Sequence, residues 1–380
     1  MGESWSRNDF IFLNHHLVTF SIFLSSKITL SPVSISTFLS FRFLHFSNIL
    51  PFQMSTSSTS FIPPTWPATV FYITSIVTLP LYFFVFICLL RLRQISKTYN
   101  TTFYTILLQH CIADLFAMTF YFLIIVARSI SFVRQFYYEY QDYYIAAAAY
   151  NHIYYTLYIR CTGIILLSFQ RYLVITHPNS HFTDRIQAAP KMYILGLYWG
   201  LPTIISLVVL KDTNFKYDSL ETMAVVAEQE VIQRNTLMAL VVVSTTCVLS
   251  SVAYGALFVF IRKHSFRISK SLRREVSLAL QVFILLLAFF GILVYYSFQN
   301  YFSQTHNTGP IYYMRGIYPM ANGFLSYINP FCILFLNKDL TKQVIRSVSC
   351  KKLKMSDAQV SGIALNSTKE QRKDLNQVTF

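Results

Sequence analysis

Charge is scarce in this chain. Charged residues make up 12% of it, where a soluble globular protein carries roughly 25%. Acids are the scarcer sign, 16 against 31 Lys and Arg. Such a composition excludes an ordinary water-facing domain. Glycine is sparse as well: the ten glycines are scattered, and none forms a loop that would cradle a phosphate. The HExxH, GxSxG and CxxC patterns of hydrolases, zinc enzymes and redox proteins do not occur. The nine histidines have no metal-ligand spacing; His15 and His16 are adjacent and project from different faces of a helix or strand. No catalytic residue, metal site or cofactor is therefore expected, and the chain does not read as an enzyme.

What is abundant is apolar length. Seven stretches, Val70–Leu90, Phe103–Val126, Ile145–Phe169, Met192–Leu210, Thr236–Ile261, Val276–Phe298 and Ile317–Leu336, are each long enough to cross a bilayer. A helix needs roughly 17–25 mostly apolar residues to do so. The segments after spans one, three, five and seven carry a net charge of +15, and those on the opposite side balance to 0. Lys/Arg-rich short loops stay in the cytoplasm, which places the N-terminus outside and the C-terminus inside. The reading is an all-α membrane protein, a bundle of seven transmembrane helices. Basic loops of this kind meet anionic inner-leaflet lipid, so the lipid bilayer rather than nucleic acid is the expected partner. Five of the six cysteines, Cys88, Cys111, Cys161, Cys247 and Cys332, fall within spans, and none sits where an external disulfide would form.

The flanks differ from the 69–336 bundle. Residues 1–68 hold an apolar stretch from Phe10 to Leu24 that is short for a span, then a Ser- and Phe-rich segment. Three readings stay open for it: an extension of the gene, with Met54 the true start; a weak signal sequence; or a disordered external segment. Residues 337–355 alternate basic residues with Leu340, Val344, Ile345 and Val348, the pattern of a short amphipathic helix lying on the inner leaflet. Cys350 in this stretch stands where palmitoylation, or a plain reduced thiol, is expected. Residues 356–380 are polar and read as a disordered cytoplasmic tail. The Lys211–Arg234 loop holds Asp212, Asp218, Glu221, Glu228 and Glu230, either simply solvated or attractive to cationic ligands.

Four local patterns carry a resemblance. Span two contains Ile112-Ala113-Asp114-Leu115; span three ends in Gln170-Arg171-Tyr172, followed by His177-Pro178. Span four has Trp199 with Pro202, and span seven has Asn329-Pro330-Phe331-Cys332-Ile333. Together these resemble rhodopsin-like G-protein-coupled receptors. The departures narrow the likeness: Gln170 replaces the usual acid before the arginine, Ile333 replaces a tyrosine, and span six lacks the Trp-Pro switch. With 17% aromatic residues and TTFYTILLQHCIADLF leading into span two, the chain is most similar to nematode serpentine chemoreceptors. The closest likeness is to the serpentine receptor class gamma superfamily, and within it class V. The resemblance implies a chemosensory receptor that binds a small external ligand and signals to a heterotrimeric G protein. It also implies a multi-pass protein of the plasma membrane, in sensory cilia of neurons. A peptide or neurotransmitter receptor of the same fold, or a small transporter, are the alternatives.

Individual residues take roles in that reading. Arg171 and Tyr172, at the cytoplasmic end of span three, and Asn329 and Pro330 are expected to couple to the G protein. With Gln170 beside it, Arg171 should be weakly restrained. Asp114 and Arg160 both lie roughly 16 Å deep by helical rise, and charges at that depth usually pair. An intramembrane ion pair is expected, which the resemblance places where related receptors hold a sodium ion. Tyr154 and Tyr158 share a face of span three and, with Tyr295 and Tyr318, are candidates for the ligand pocket. Gly196 and Gly200 form a GxxxG in span four that suits close helix packing.

Overall fold

The computed structural model describes residues 66–95, 99–178, 180–221, 223–263, 270–305, 308–337, 340–342 and 345. The expected Met54 start, Cys350 and the 356–380 tail lie outside those residues. Seven helices are long and apolar enough to cross a membrane: α1 (Trp66–Ile95), α2 (Thr102–Ser129), α4 (Ala146–Thr176), α6 (Lys191–Leu210), α7 (Gln229–Lys263), α8 (Lys270–Gln304) and α9 (Thr308–Leu336). They coincide with the seven expected spans. The helices overrun the apolar stretches because backbone hydrogen bonding continues into the interfacial layers, where polar side chains no longer cost much. Two short helices, α3 (Ser131–Glu139) and α5 (His181–Ala188), and a two-stranded hairpin, β1 (Lys216–Tyr217) with β2 (Val225–Val226), fill the connections.

α4 is the central helix, packed against α2, α6, α7 and α8. Its most apolar window is 67% buried with mean hydropathy only 1.2, whereas α6 is 22% buried at 1.9. A span surrounded by protein can afford polar residues; one facing lipid cannot. α4 accordingly carries Asn151, His152, Arg160, Gln170 and Arg171, all buried. On lipid-facing α6, a Cβ added at Gly196 or Gly200 would meet nothing within 4 Å. The GxxxG expected to pack internally therefore does not. Among the described glycines the tightest is Gly163 on α4, where a Cβ would lie 2.5 Å from His110 Nδ1 and 2.7 Å from the Tyr198 hydroxyl.

The hairpin closes one end of the bundle. Its turn is held by the Asp218 carboxylate, which accepts from the Ser219 and Ala224 amides at 2.7 and 2.9 Å. Phe215, Tyr217 and Met223 are buried beneath it. Phe215 stacks on Tyr150 of α4 with ring centroids 4.6 Å apart. Gln141 Oε1 accepts the Tyr217 amide at 2.6 Å, and Arg315 of α9 donates to the Val225 carbonyl at 3.0 Å. Asn151 donates to the Asp212 carbonyl and to the Tyr144 hydroxyl. Tyr144 sits in a π-helical turn, Gln141–Ile145, with φ 67°, a left-handed conformation unusual outside glycine. These contacts tie the hairpin to the helices without a disulfide, and the five described cysteines are buried and in no disulfide. At the opposite end, Leu340 is fully buried in the core rather than facing lipid as the amphipathic pattern suggested, while Ile345 is exposed.

Candidate functional site

Polar chemistry concentrates in three layers along α4. At the end away from the hairpin, Arg171 is 2% exposed and forms an ion pair with Glu275 of α8. Its guanidinium carbon lies 3.3 Å from the centroid of the Phe103 ring on α2, a cation–π contact. Tyr104 and Tyr254 flank the same charge. Arg171 is thus firmly held, contrary to the expectation drawn from Gln170. The acid comes from the first turns of α8, 104 residues away in sequence, instead of from the neighbouring position. Gln170 is itself buried with its Oε1 unpartnered. Tyr172 is half-buried and meets the His177 and Phe169 rings at 5.8 and 6.5 Å. Asn337, just past α9, accepts from the Tyr99 hydroxyl at 3.1 Å and so ties the end of α9 to the α1–α2 connection.

The middle layer corrects a second expectation. Asp114 and Arg160 do not form a contact ion pair. Asp114 Oδ2 accepts from the Tyr82 hydroxyl of α1 at 2.8 Å and from Asn329 Nδ2 of α9 at 3.1 Å. His110 Nε2, one turn back on α2, lies 3.8 Å from the same oxygen. Asn329 Nδ2 also donates to the Tyr82 hydroxyl at 2.7 Å. Arg160 instead donates from Nη1 to Ser326 Oγ at 2.7 Å, from Nη2 to Asn322 Oδ1 at 2.6 Å and from Nε to the Thr156 carbonyl at 3.3 Å. The cause is α9, which presents Asn322, Ser326 and Asn329 as one polar ridge at helical spacing. Each buried charge takes its own members of that ridge. Pro330 follows directly, and its missing amide interrupts helical bonding at this level.

The third layer lies toward the hairpin. Tyr154, Tyr158, Tyr295 and Tyr318 are all buried in one cluster, joined by Tyr150 and Tyr296. Tyr150 and Tyr154 share a hydrogen bond of 3.1 Å, and Tyr295 donates to the Met314 carbonyl at 3.1 Å. Tyr295 and Tyr318 ring centroids are 5.7 Å apart. The Tyr158 hydroxyl is buried without a partner. Farther out, a cleft of about 160 Å³ is lined by residues including Asp212, Phe215, Glu228 and Val231. Phe215 belongs both to this cleft and to the stack on Tyr150.

Sequence reading missed Glu275, Phe103, Tyr82, Asn322, Ser326 and Gly163. Three of these carried a signal. Glu275 is the lone acid in the basic segment between spans five and six, and Asn322, Ser326 and Asn329 form a polar stripe in an apolar span. The others acquire meaning only from contacts across helices.

Among the described residues no group of His, Cys, Asp and Glu clusters as a metal site. No curated protein sequence matches the chain. The family described as serpentine type 7TM GPCR chemoreceptor Srv matches residues 71–350, from the first turns of α1 to beyond α9. With seven membrane-long helices over that same range, the chain belongs to the Srv family of serpentine seven-transmembrane chemoreceptors and is a multi-pass membrane protein.

Proposed function

We propose that this chemoreceptor converts binding of a small external molecule into activation of a heterotrimeric G protein at the plasma membrane, the ciliary membrane of sensory neurons being the expected site. The hairpin end faces outward and the Arg171 end inward, following the basic loops. The carrying observation is the Arg171–Glu275 pair, which fastens α4 to α8 across the cytoplasmic end. Outward movement of that end of α8 would break the pair and uncover Arg171 for the G protein. Ligand binding among Tyr154, Tyr158, Tyr295 and Tyr318 supplies the bias: α8 and α9 both contribute to the cluster, and a ligand shifts the equilibrium by its preference for one arrangement. Asn329 and Pro330 lie between the two ends on α9 and serve as the joint.

The test is a G-protein reporter assay on cell-surface receptor. Glu275→Gln should raise ligand-free output, because it removes the anion that holds α8 to Arg171. Arg171→Ala should abolish activation while surface level is largely kept. Full signalling from a well-expressed Arg171→Ala receptor would refute this mechanism.

A further inference from the structure

We propose that Arg160 is the anchor for an anionic ligand: its guanidinium takes the carboxylate of a small organic acid whose apolar body lies among Tyr154, Tyr295 and Tyr318. This names the ligand class of the pocket and so rests on the receptor reading above.

Arg160 is 1% exposed and lies at mid-membrane depth, and it donates to neutral acceptors, Ser326, Asn322 and the Thr156 carbonyl. A guanidinium stays charged at any ordinary pH. Dipoles alone are a poor substitute for a counter-ion at that depth, and intramembrane charges left so mark the paths of ligands and ions. Asp114 does not supply the counter-ion, since its contacts are with Tyr82, Asn329 and His110.

Direction matters as much as burial. Nε donates to Thr156, one turn back along α4, so the side chain runs toward the hairpin and away from Arg171. Its end meets Asn322 and lies against the Tyr318 hydroxyl. The charge therefore closes the inner end of the tyrosine cluster. Nη1 and Nη2, which donate to Ser326 and Asn322, can share their remaining hydrogens with the two oxygens of a carboxylate.

The outer part of the cluster has the same sign. Arg315 spends Nη1 on the Val225 carbonyl and leaves Nη2 buried without a partner. Its guanidinium carbon lies 5.8 Å from the centroid of the Tyr312 ring. Of the acids on this side, Asp212 is paired with Arg234, Asp142 with Lys216, and Asp218 holds the hairpin turn, while Glu228 lines the outer cleft. A cation reaching the tyrosines would meet Arg315 and Arg160, neither of which has a carboxylate partner among the described residues, whereas an anion would be held by Arg160. The unpartnered Tyr158 hydroxyl offers one further hydrogen bond, to a second polar group on the ligand.

The experiment measures the melting temperature of purified full-length receptor with matched pairs of probes. These are phenylalkanoic acids and C6–C10 alkanoic acids, each against its own primary amide. At least one acid should raise the melting temperature, and its amide should not. Arg160→Gln should remove the shift, and Arg160→Lys, which keeps charge but loses the fork, should weaken half-saturation by roughly tenfold. If Arg160→Gln does not fold, the acid–amide difference in the unaltered receptor decides. Amides that match their acids, no shift from any acid, or an acid shift that survives Arg160→Gln overturns the proposal. Output from Glu275→Gln keeps the two ideas separable: a receptor that signals but binds only neutral or cationic compounds refutes the anion site alone.

Discussion

Arg160 and Arg171 stand on one helix, are equally buried, and are treated in opposite ways. Arg171 has a carboxylate and an aromatic face supplied by two neighbouring helices. Arg160 has hydroxyl, amide and carbonyl oxygens only. The difference teaches where each charge gets its counter-ion. A charge paired within the protein can act as a fastening that a conformational change breaks. One satisfied by dipoles alone keeps an unmet preference for an anion, which an incoming molecule can fill. Burial alone does not distinguish these cases; the partner does.

The comparison breaks most visibly at Glu275. Glu275→Gln leaves Arg171 buried beside a neutral amide, and the receptor should lose about 2–3 kcal/mol of stability, read as a lower melting temperature alongside the raised basal output. An unchanged melting temperature would mean that Arg171 needs its counter-ion no more than Arg160 does. Gly163→Ala comes next. Its added methyl would press on His110 and Tyr198, whose hydroxyl and ring nitrogen are 3.2 Å apart beside the Asp114 network. Overpacking of this kind costs about 1–3 kcal/mol, whereas Gly200→Ala, with open space around it, should change the melting temperature little. Equal effects at the two glycines would count against the α2–α4–α6 packing described here. The smallest effect is a coupling. Asp114→Asn and Arg160→Met share no contact, so their destabilisations should add within about 0.5 kcal/mol. A coupling of several times that size in a double-mutant cycle would restore the direct ion pair.

Much of this was legible in the chain. Span number and position follow from hydropathy alone, because an unpaired backbone cannot cross the hydrocarbon layer and the helix is the economical solution. Arg171, Asp114 and Asn329 stood out because charge and amide groups are conspicuous in apolar runs. The partners were not legible. Asp114 and Arg160 sit at matching depth, and depth suggested a pair, but helical rise says nothing about rotation around the helix axis. The polar ridge of α9 decided the matter by offering each charge nearer acceptors. Gln170 suggested a loosely held Arg171 because sequence reasoning looked for the acid next door, and α8 brought it from far along the chain. GxxxG in α6 misled for a related reason: small residues permit close packing, but only a facing helix makes use of it.

The sequence by itself therefore determined that seven helices span the membrane, how their basic connections are distributed, and which residues are too polar to sit in lipid. These properties depend on single segments and on the solvent each must meet. Only the tertiary structure decided that Glu275 closes on Arg171, that Asp114 and Arg160 are served separately, and that a disulfide-free hairpin caps six tyrosines. Those outcomes depend on which faces of different helices meet, and hydrogen bonds and ion pairs act over a few ångströms that no one-dimensional spacing can specify.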